Sequence, residues 1–172
     1  KARMSKYIEA FGFGKKTGVD LPGEISGLVK DYRLWSGVSL GSIAIGQEIG
    51  VTPIQIASAY AAIANNGELP RPRIVAEVRD RDASSDSVKP PPVMSGRAIS
   101  AETAAAVRKM LQRVVDAGTG LNAKPSGYTA GGKTGTAQKI DARTGTYSRD
   151  DYVTSFVGFA PAPAPKLVIV VM

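Results

Sequence analysis

Cysteine and histidine are both missing from the 172 residues. Their absence excludes disulfides, cysteine or histidine metal sites, and any imidazole acid or base within this segment. Aromatics are sparse at 6%, and the single tryptophan, Trp35, reads equally as core packing or a surface anchor. No apolar run reaches the ~20 residues of a membrane helix, and no signal-peptide pattern opens the chain. The formal charge is +7, yet lysine and arginine are scattered without a dense run or interleaved aromatics, so nucleic acid is not an expected partner. Apolar residues are present in ordinary amount, 43%, enough for the core of one domain.

Local signals lay out the elements. Met4, Tyr7, Ile8 and Phe11 recur at helical spacing before Gly12. Residues 12–30 are glycine-rich turn material. Thr52-Pro53-Ile54-Gln55 combines an N-cap, a proline at the first helical position and a capping-box glutamine, and the helix it opens should run to Asn65-Asn66-Gly67. Arg73–Val78 is a candidate short strand, and 79–93, with Pro90-Pro91-Pro92, reads as a loop. Ser100 caps a second helix with Val107, Met110, Leu111, Val114 and Val115 as its apolar stripe, ending at Gly118. Three strands are expected at 130–139, 151–160 and 166–172, the last two joined by an antiparallel return through Pro161–Pro165. The polar stretch Asp141–Asp150 reads as a solvated loop. Helices followed by an antiparallel meander predict an α+β layer in which helices cover a sheet.

The most informative stretch is Lys133-Thr134-Gly135-Thr136 within Ala130–Lys139. As a strand it puts Lys133 and Gly135 on one face and Thr134 and Thr136 on the other. A glycine edge lets a peptide lie against the backbone, while the amine and hydroxyls meet a carboxylate and a free N–H meets a developing oxyanion. Taken alone, such a lysine is an ordinary solvated edge residue. The triplet also occurs at Lys16-Thr17-Gly18, where the following Pro22-Gly23 marks a turn, so only the copy at 133 has a sheet context. Gly127–Thr134 further satisfies G-x-x-x-x-G-K-[ST], the phosphate loop of nucleotide binders, although neither a buried strand before it nor a helix after it is expected.

Four blocks in order carry a resemblance: Phe11-Gly12-Phe13-Gly14 with Thr17–Glu24, Ile45–Gln55, Gly131–Gln138, and Phe156–Pro161. K-T-G is the third motif of β-lactamases and penicillin-binding proteins. Over essentially all 172 residues the chain resembles a class B penicillin-binding protein, of the cell-division (septal) or sporulation-type peptidoglycan D,D-transpeptidases. That resemblance implies a serine β-lactamase-like transpeptidase fold, with residues 1–172 as the C-terminal portion of the domain. Both chain ends look cut, the last inside the apolar run Leu167–Met172. The family's S-x-x-K and S-x-N motifs are absent and are expected upstream, so the segment alone should not acylate.

The resemblance further implies a reaction and its residues. A serine outside the segment attacks the D-Ala-D-Ala amide of a peptidoglycan stem peptide, and β-lactams acylate the same serine. Lys133 supplies positive potential and organises proton transfer. Thr134 and Thr136 offer hydroxyls to the terminal carboxylate, the Thr136 N–H is the second oxyanion donor, and Gly135 keeps the edge clear. Lys133 and Thr136 are thus the expected catalytic residues, and Thr134, Gly135 and Thr136 the substrate-binding ones. No cofactor or metal is implied. The other implied partners are the upstream half of the domain and membrane glycosyltransferase or divisome proteins. The implied place is extracytoplasmic, with the parent held by an N-terminal membrane helix. A P-loop nucleotide binder and a non-catalytic peptidoglycan- or divisome-binding relative stand as alternatives.

Overall fold

The structure, a computed structural model, describes residues 1–79 and 87–172. Helix α1, Ala2–Ala10, turns Ser5 and Ile8 inward and stops where Gly12 adopts φ +84°. Beyond the glycine-rich segment, strand β1 (Leu28–Val29) pairs antiparallel with β2 (Ile49–Gly50). Between them lie a single 3₁₀ turn, Tyr32–Leu34, and the short helix α2, Ser39–Ala44. Trp35 is buried beside that turn and donates its indole N–H to the Lys30 carbonyl at 3.0 Å, which makes it a packing residue.

Helix α3, Pro53–Ala64, carries the expected cap in full. Thr52 Oγ1 accepts from the Gln55 N–H at 3.2 Å, and Gln55 Oε1 accepts from the Thr52 N–H at 2.9 Å. The Gln55 amide nitrogen, buried with the rest of its side chain, donates to the carbonyls of Lys15 and Ser26 at 2.8 and 2.9 Å. One amide thus starts a helix and ties down the glycine-rich segment.

Residues 73–77 do not form the expected strand. The Asp20 carboxylate takes the Ile74 and Val75 N–H groups at 2.7 and 3.0 Å, so those donors go to a side chain instead of a ladder. The short strands of this region are β3 (Glu68–Pro70), β4 (Val78–Arg79), β5 (Ser87–Val88) and β6 (Met94–Arg97). β3 pairs with β6 and β4 with β5, both antiparallel. The loop reading of 79–93 therefore fails at Arg79 and Ser87–Val88, and its stretch 80–86 lies outside the described residues.

Helix α4, Ala101–Ala117, begins at Ser100, whose Oγ accepts from the Thr103 N–H at 3.1 Å. Its inward face is rotated from the expected stripe. Ala104 and Val115 are fully buried, whereas Met110 is 65% exposed. Half-buried Arg108, on the inward side, donates to the Ile63 carbonyl at 2.8 Å and ties α4 to the end of α3.

Three strands complete the chain: β7 (Gly131–Ile140), β8 (Tyr147–Ala160) and β9 (Leu167–Val171). They form one antiparallel sheet in the order β7-β8-β9, with α4 against β7 and α3 against β8 and β9. β8 starts at Tyr147, earlier than expected, so the polar loop shrinks to 141–146. Val115 and Phe159 sit in the layer between helices and sheet, each contributing roughly 1.5–3 kcal/mol by its burial. This is the α+β layer that the sequence predicts.

Candidate functional site

Two glycines start β7 because aromatic rings occupy the space beside them. A Cβ on Gly131 would stand 2.6 Å from the Phe159 ring and 3.2 Å from the backbone nitrogen of Gln112 on α4. One on Gly132 would stand 2.5 Å from the Phe156 ring and 2.6 Å from the Val157 carbonyl oxygen. Side chains at either position would push the strand off its neighbours. Close packing here sets the position of the next four residues.

Lys133, Thr134, Gly135 and Thr136 pair with Val157, Phe156, Ser155 and Thr154 of β8. Among the described residues β7 has no partner on its other side, so the four residues lie on a free sheet edge. Lys133 is exposed, and its amino group curls onto the following residue, donating to the Thr134 carbonyl at 3.1 Å and to Thr134 Oγ1 at 3.2 Å. Thr134 Oγ1 donates in turn to Thr119 Oγ1 at 3.2 Å. Thr136 is exposed, and its hydroxyl has no hydrogen-bond partner among the described residues. The space over Gly135 is taken by Ser155, whose hydroxyl oxygen would lie 2.6 Å from a Cβ there. Gly135 therefore answers first to a cross-strand neighbour.

The structure brings an ammonium group and three hydroxyls of Thr119, Thr134 and Thr136 to one margin, an arrangement suited to a carboxylate. Thr119 was not expected from the sequence. It sits just past α4 in an Ala-Gly-Thr-Gly run that reads as a simple helix stop, and only the folded chain places it beside Thr134. Immediately beyond Thr136, Ala137 and Gln138 enter the wall of an open cavity of about 600 Å³ that Leu28, Ile49 and Tyr147 also line. No cluster of three acidic groups placed to hold a metal ion occurs among the described residues.

The other copy of the triplet is built differently. The Glu24 carboxylate accepts from Thr17 N and Thr17 Oγ1, both at 2.6 Å, and from Gly18 N at 3.1 Å. Those bonds, that of the Thr17 hydroxyl first, hold the Glu24 carboxyl below its ordinary range. Gly18 adopts φ +77°, and its carbonyl accepts from Arg71 Nε at 2.9 Å. In Lys16-Thr17-Gly18 the threonine hydroxyl, the Thr17 and Gly18 N–H groups and the Gly18 carbonyl are already used, which holds the segment as a closed loop.

The phosphate-loop alternative is overturned here. Lys133 and Thr134 lie inside a ten-residue strand, with no helix opening after them to point N–H groups at a phosphate.

Comparison with known proteins gives consistent matches. A family model described as penicillin binding protein transpeptidase domain matches residues 1–172. Stage V sporulation protein D of Bacillus subtilis is 43% identical over 99% of this chain. Penicillin-binding protein PbpB of Mycobacterium tuberculosis is 40% identical over 99% of it. The 172 residues span 26% of either relative, about a quarter of their length. A crystal structure of penicillin-binding protein 3 from M. tuberculosis, complexed with ampicillin, superposes with a TM-score of 0.91 at 40% identity, covering 99% of this chain and 39% of that one. The fold is that of these transpeptidase domains.

Proposed function

This chain belongs to the penicillin-binding protein transpeptidase domain family, and on that premise we propose that it is the C-terminal part of a serine peptidoglycan D,D-transpeptidase. The observation that carries the reading is the Lys133–Thr136 run on a free antiparallel edge, with the Thr134 hydroxyl beside the lysine amine and Thr136 exposed two residues on along the same edge. In the whole protein a serine hydroxyl, supplied by S-x-x-K outside these residues, adds to the carbonyl carbon of the penultimate D-alanine. The C–N bond breaks, D-alanine leaves with a proton on its amine, and an acyl ester remains on the serine. An amine from a neighbouring stem peptide then takes the acyl group and releases the serine.

Lys133 provides positive potential beside the reacting groups. Thr134 and Thr136 receive the substrate's terminal carboxylate, and the Thr136 N–H receives the oxyanion, a contact worth on the order of 3 kcal/mol in a hydrolase. Gly135 leaves the backbone open to the substrate on the edge side. β-Lactams use the same contacts. The substrate places this chemistry outside the cytoplasmic membrane, with septal or sporulation-specific wall synthesis as the setting and divisome or glycosyltransferase proteins as partners.

The test is acylation of the full-length protein by a fluorescent penicillin. Wild type should label covalently, and Lys133→Ala should slow labelling severely. Unchanged labelling in that variant removes Lys133 from the mechanism. A full-length sequence without S-x-x-K would instead make the protein a non-catalytic peptidoglycan- or divisome-binding relative.

A further inference from the structure

The β7–β8 hairpin extends well past Thr136, and its far end is built irregularly. The ladder shifts register between Gln138 and Ile140, and beyond the shift only Ile140 and Tyr147 pair. Gln138 Nε2 spans the irregularity by donating to the Ser148 carbonyl at 2.9 Å. Such a bulge is a point where a ladder bends.

Among the described residues, a single hydrogen bond ties the bent end to residues outside the hairpin. The Glu48 N–H donates to the Tyr147 hydroxyl oxygen at 2.8 Å, and among the described residues no other hydrogen bond joins the hairpin to residues 28–50. Glu48 itself is firmly placed. It adopts φ +58°, a left-handed conformation disfavoured for a residue with a side chain, which persists only where surroundings over-determine it. Its carboxylate accepts from Ser39 Oγ at 2.8 Å, and Ser39, 1% exposed at the head of α2, also accepts from the Ser36 N–H at 2.9 Å. The hairpin is thus fastened to a rigid point across the cavity that opens at Ala137.

We propose that Tyr147 is a positioning residue: by accepting from Glu48 it fixes the hairpin, and with it the β7 edge on which Lys133–Thr136 must meet the acyl donor. The proposal rests on the transpeptidase reading. An edge strand has neighbours on one side only, so its precise placement depends on what restrains its ends, and small displacements of catalytic groups are costly in rate. The Tyr147 ring supplies cavity wall, but only its oxygen makes the tie.

The experiment compares full-length wild type, Tyr147→Phe and Glu48→Gly, resolving the saturating acylation rate from the half-saturating concentration of a fluorescent penicillin. Tyr147→Phe should lower the saturating rate about five- to tenfold, the worth of one hydrogen bond, with little change in half-saturation. Hydrogen exchange should rise at 138–147 and stay unchanged in α3. Glu48→Gly keeps the N–H but deletes the carboxylate's bond to Ser39, so it should lower the saturating rate in the same direction as Tyr147→Phe. Acylation of Tyr147→Phe within about twofold of wild type overturns the proposal. So does exchange rising everywhere, α3 included, because the hydroxyl is then merely structural. A wild type that never reacts with penicillin fails at the transpeptidase reading itself and takes the proposal with it, whereas a reactive wild type with an indifferent Tyr147 fails here alone.

Discussion

The chain spells Lys-Thr-Gly twice and folds the two copies into opposite states. At 16–18 the threonine hydroxyl and two backbone N–H groups are consumed by Glu24, and the glycine is needed for its left-handed φ. At 133–135 the threonine hydroxyl faces other hydroxyls and an amine, and the glycine lies in extended strand. What separates them is where the backbone and the threonine are held: in a turn closed on a carboxylate, or along an extended edge. A carboxylate seven residues downstream turns the first copy into a closed turn, while two glycines and two phenylalanines seat the second on an open edge. The same triplet thus lies on an open strand edge only where no carboxylate closes it into a turn.

The contrast can be broken first by exchanging each lysine for alanine in the full-length protein. Lys133→Ala should cut penicillin acylation about 10²- to 10³-fold, and Lys16→Ala should leave it unchanged; comparable losses at both would erase the distinction. The glycines come next, by denaturant unfolding. Gly132→Ala drives a Cβ into a ring and a backbone carbonyl and should cost about 3 kcal/mol. Gly18→Ala meets mainly the flexible Arg71 side chain and a disfavoured φ, for about 1–2 kcal/mol.

A pH experiment sharpens the first copy. Because folding lowers the Glu24 pKa from 4.5, its stabilisation is complete above that value and disappears as pH falls through the lower folded one. Wild type should therefore melt above Glu24→Gln at neutral pH, and the gap should close as pH drops below 4.5. A gap that persists in acid would mean the carboxylate charge is irrelevant. The smallest effect is expected from Thr119→Val, which removes the acceptor of the Thr134 hydroxyl and should slow acylation about threefold.

Much of this was legible because it is locally determined. Thr52, Pro53 and Gln55 start α3 by bonds within one turn, and the β-branched and aromatic run of β8 has no other comfortable conformation. Lys133 in a strand followed from the same local chemistry. Most of the misses share a cause, having been decided by residues distant in sequence. Asp20 captured the N–H groups of Ile74 and Val75, fifty-four and more positions away. β3 needed β6 to exist, α2 has no side-chain cap to announce it, and Thr119 gained its neighbour only when α4 packed against β7. On α4, spacing gave a stripe, but the buried face centres on Ala104 and Val115, and Arg108 on that side ties the helix to Ile63 at the end of α3.

The Gln55 side chain has one more implication. Its amide grips the carbonyls of Lys15 and Ser26 while its oxygen caps α3, so the loop bearing the first triplet cannot loosen without fraying that helix. Segments forty positions apart should consequently open as a single cooperative unit, sharing one protection level through a side chain that never approaches the chemistry.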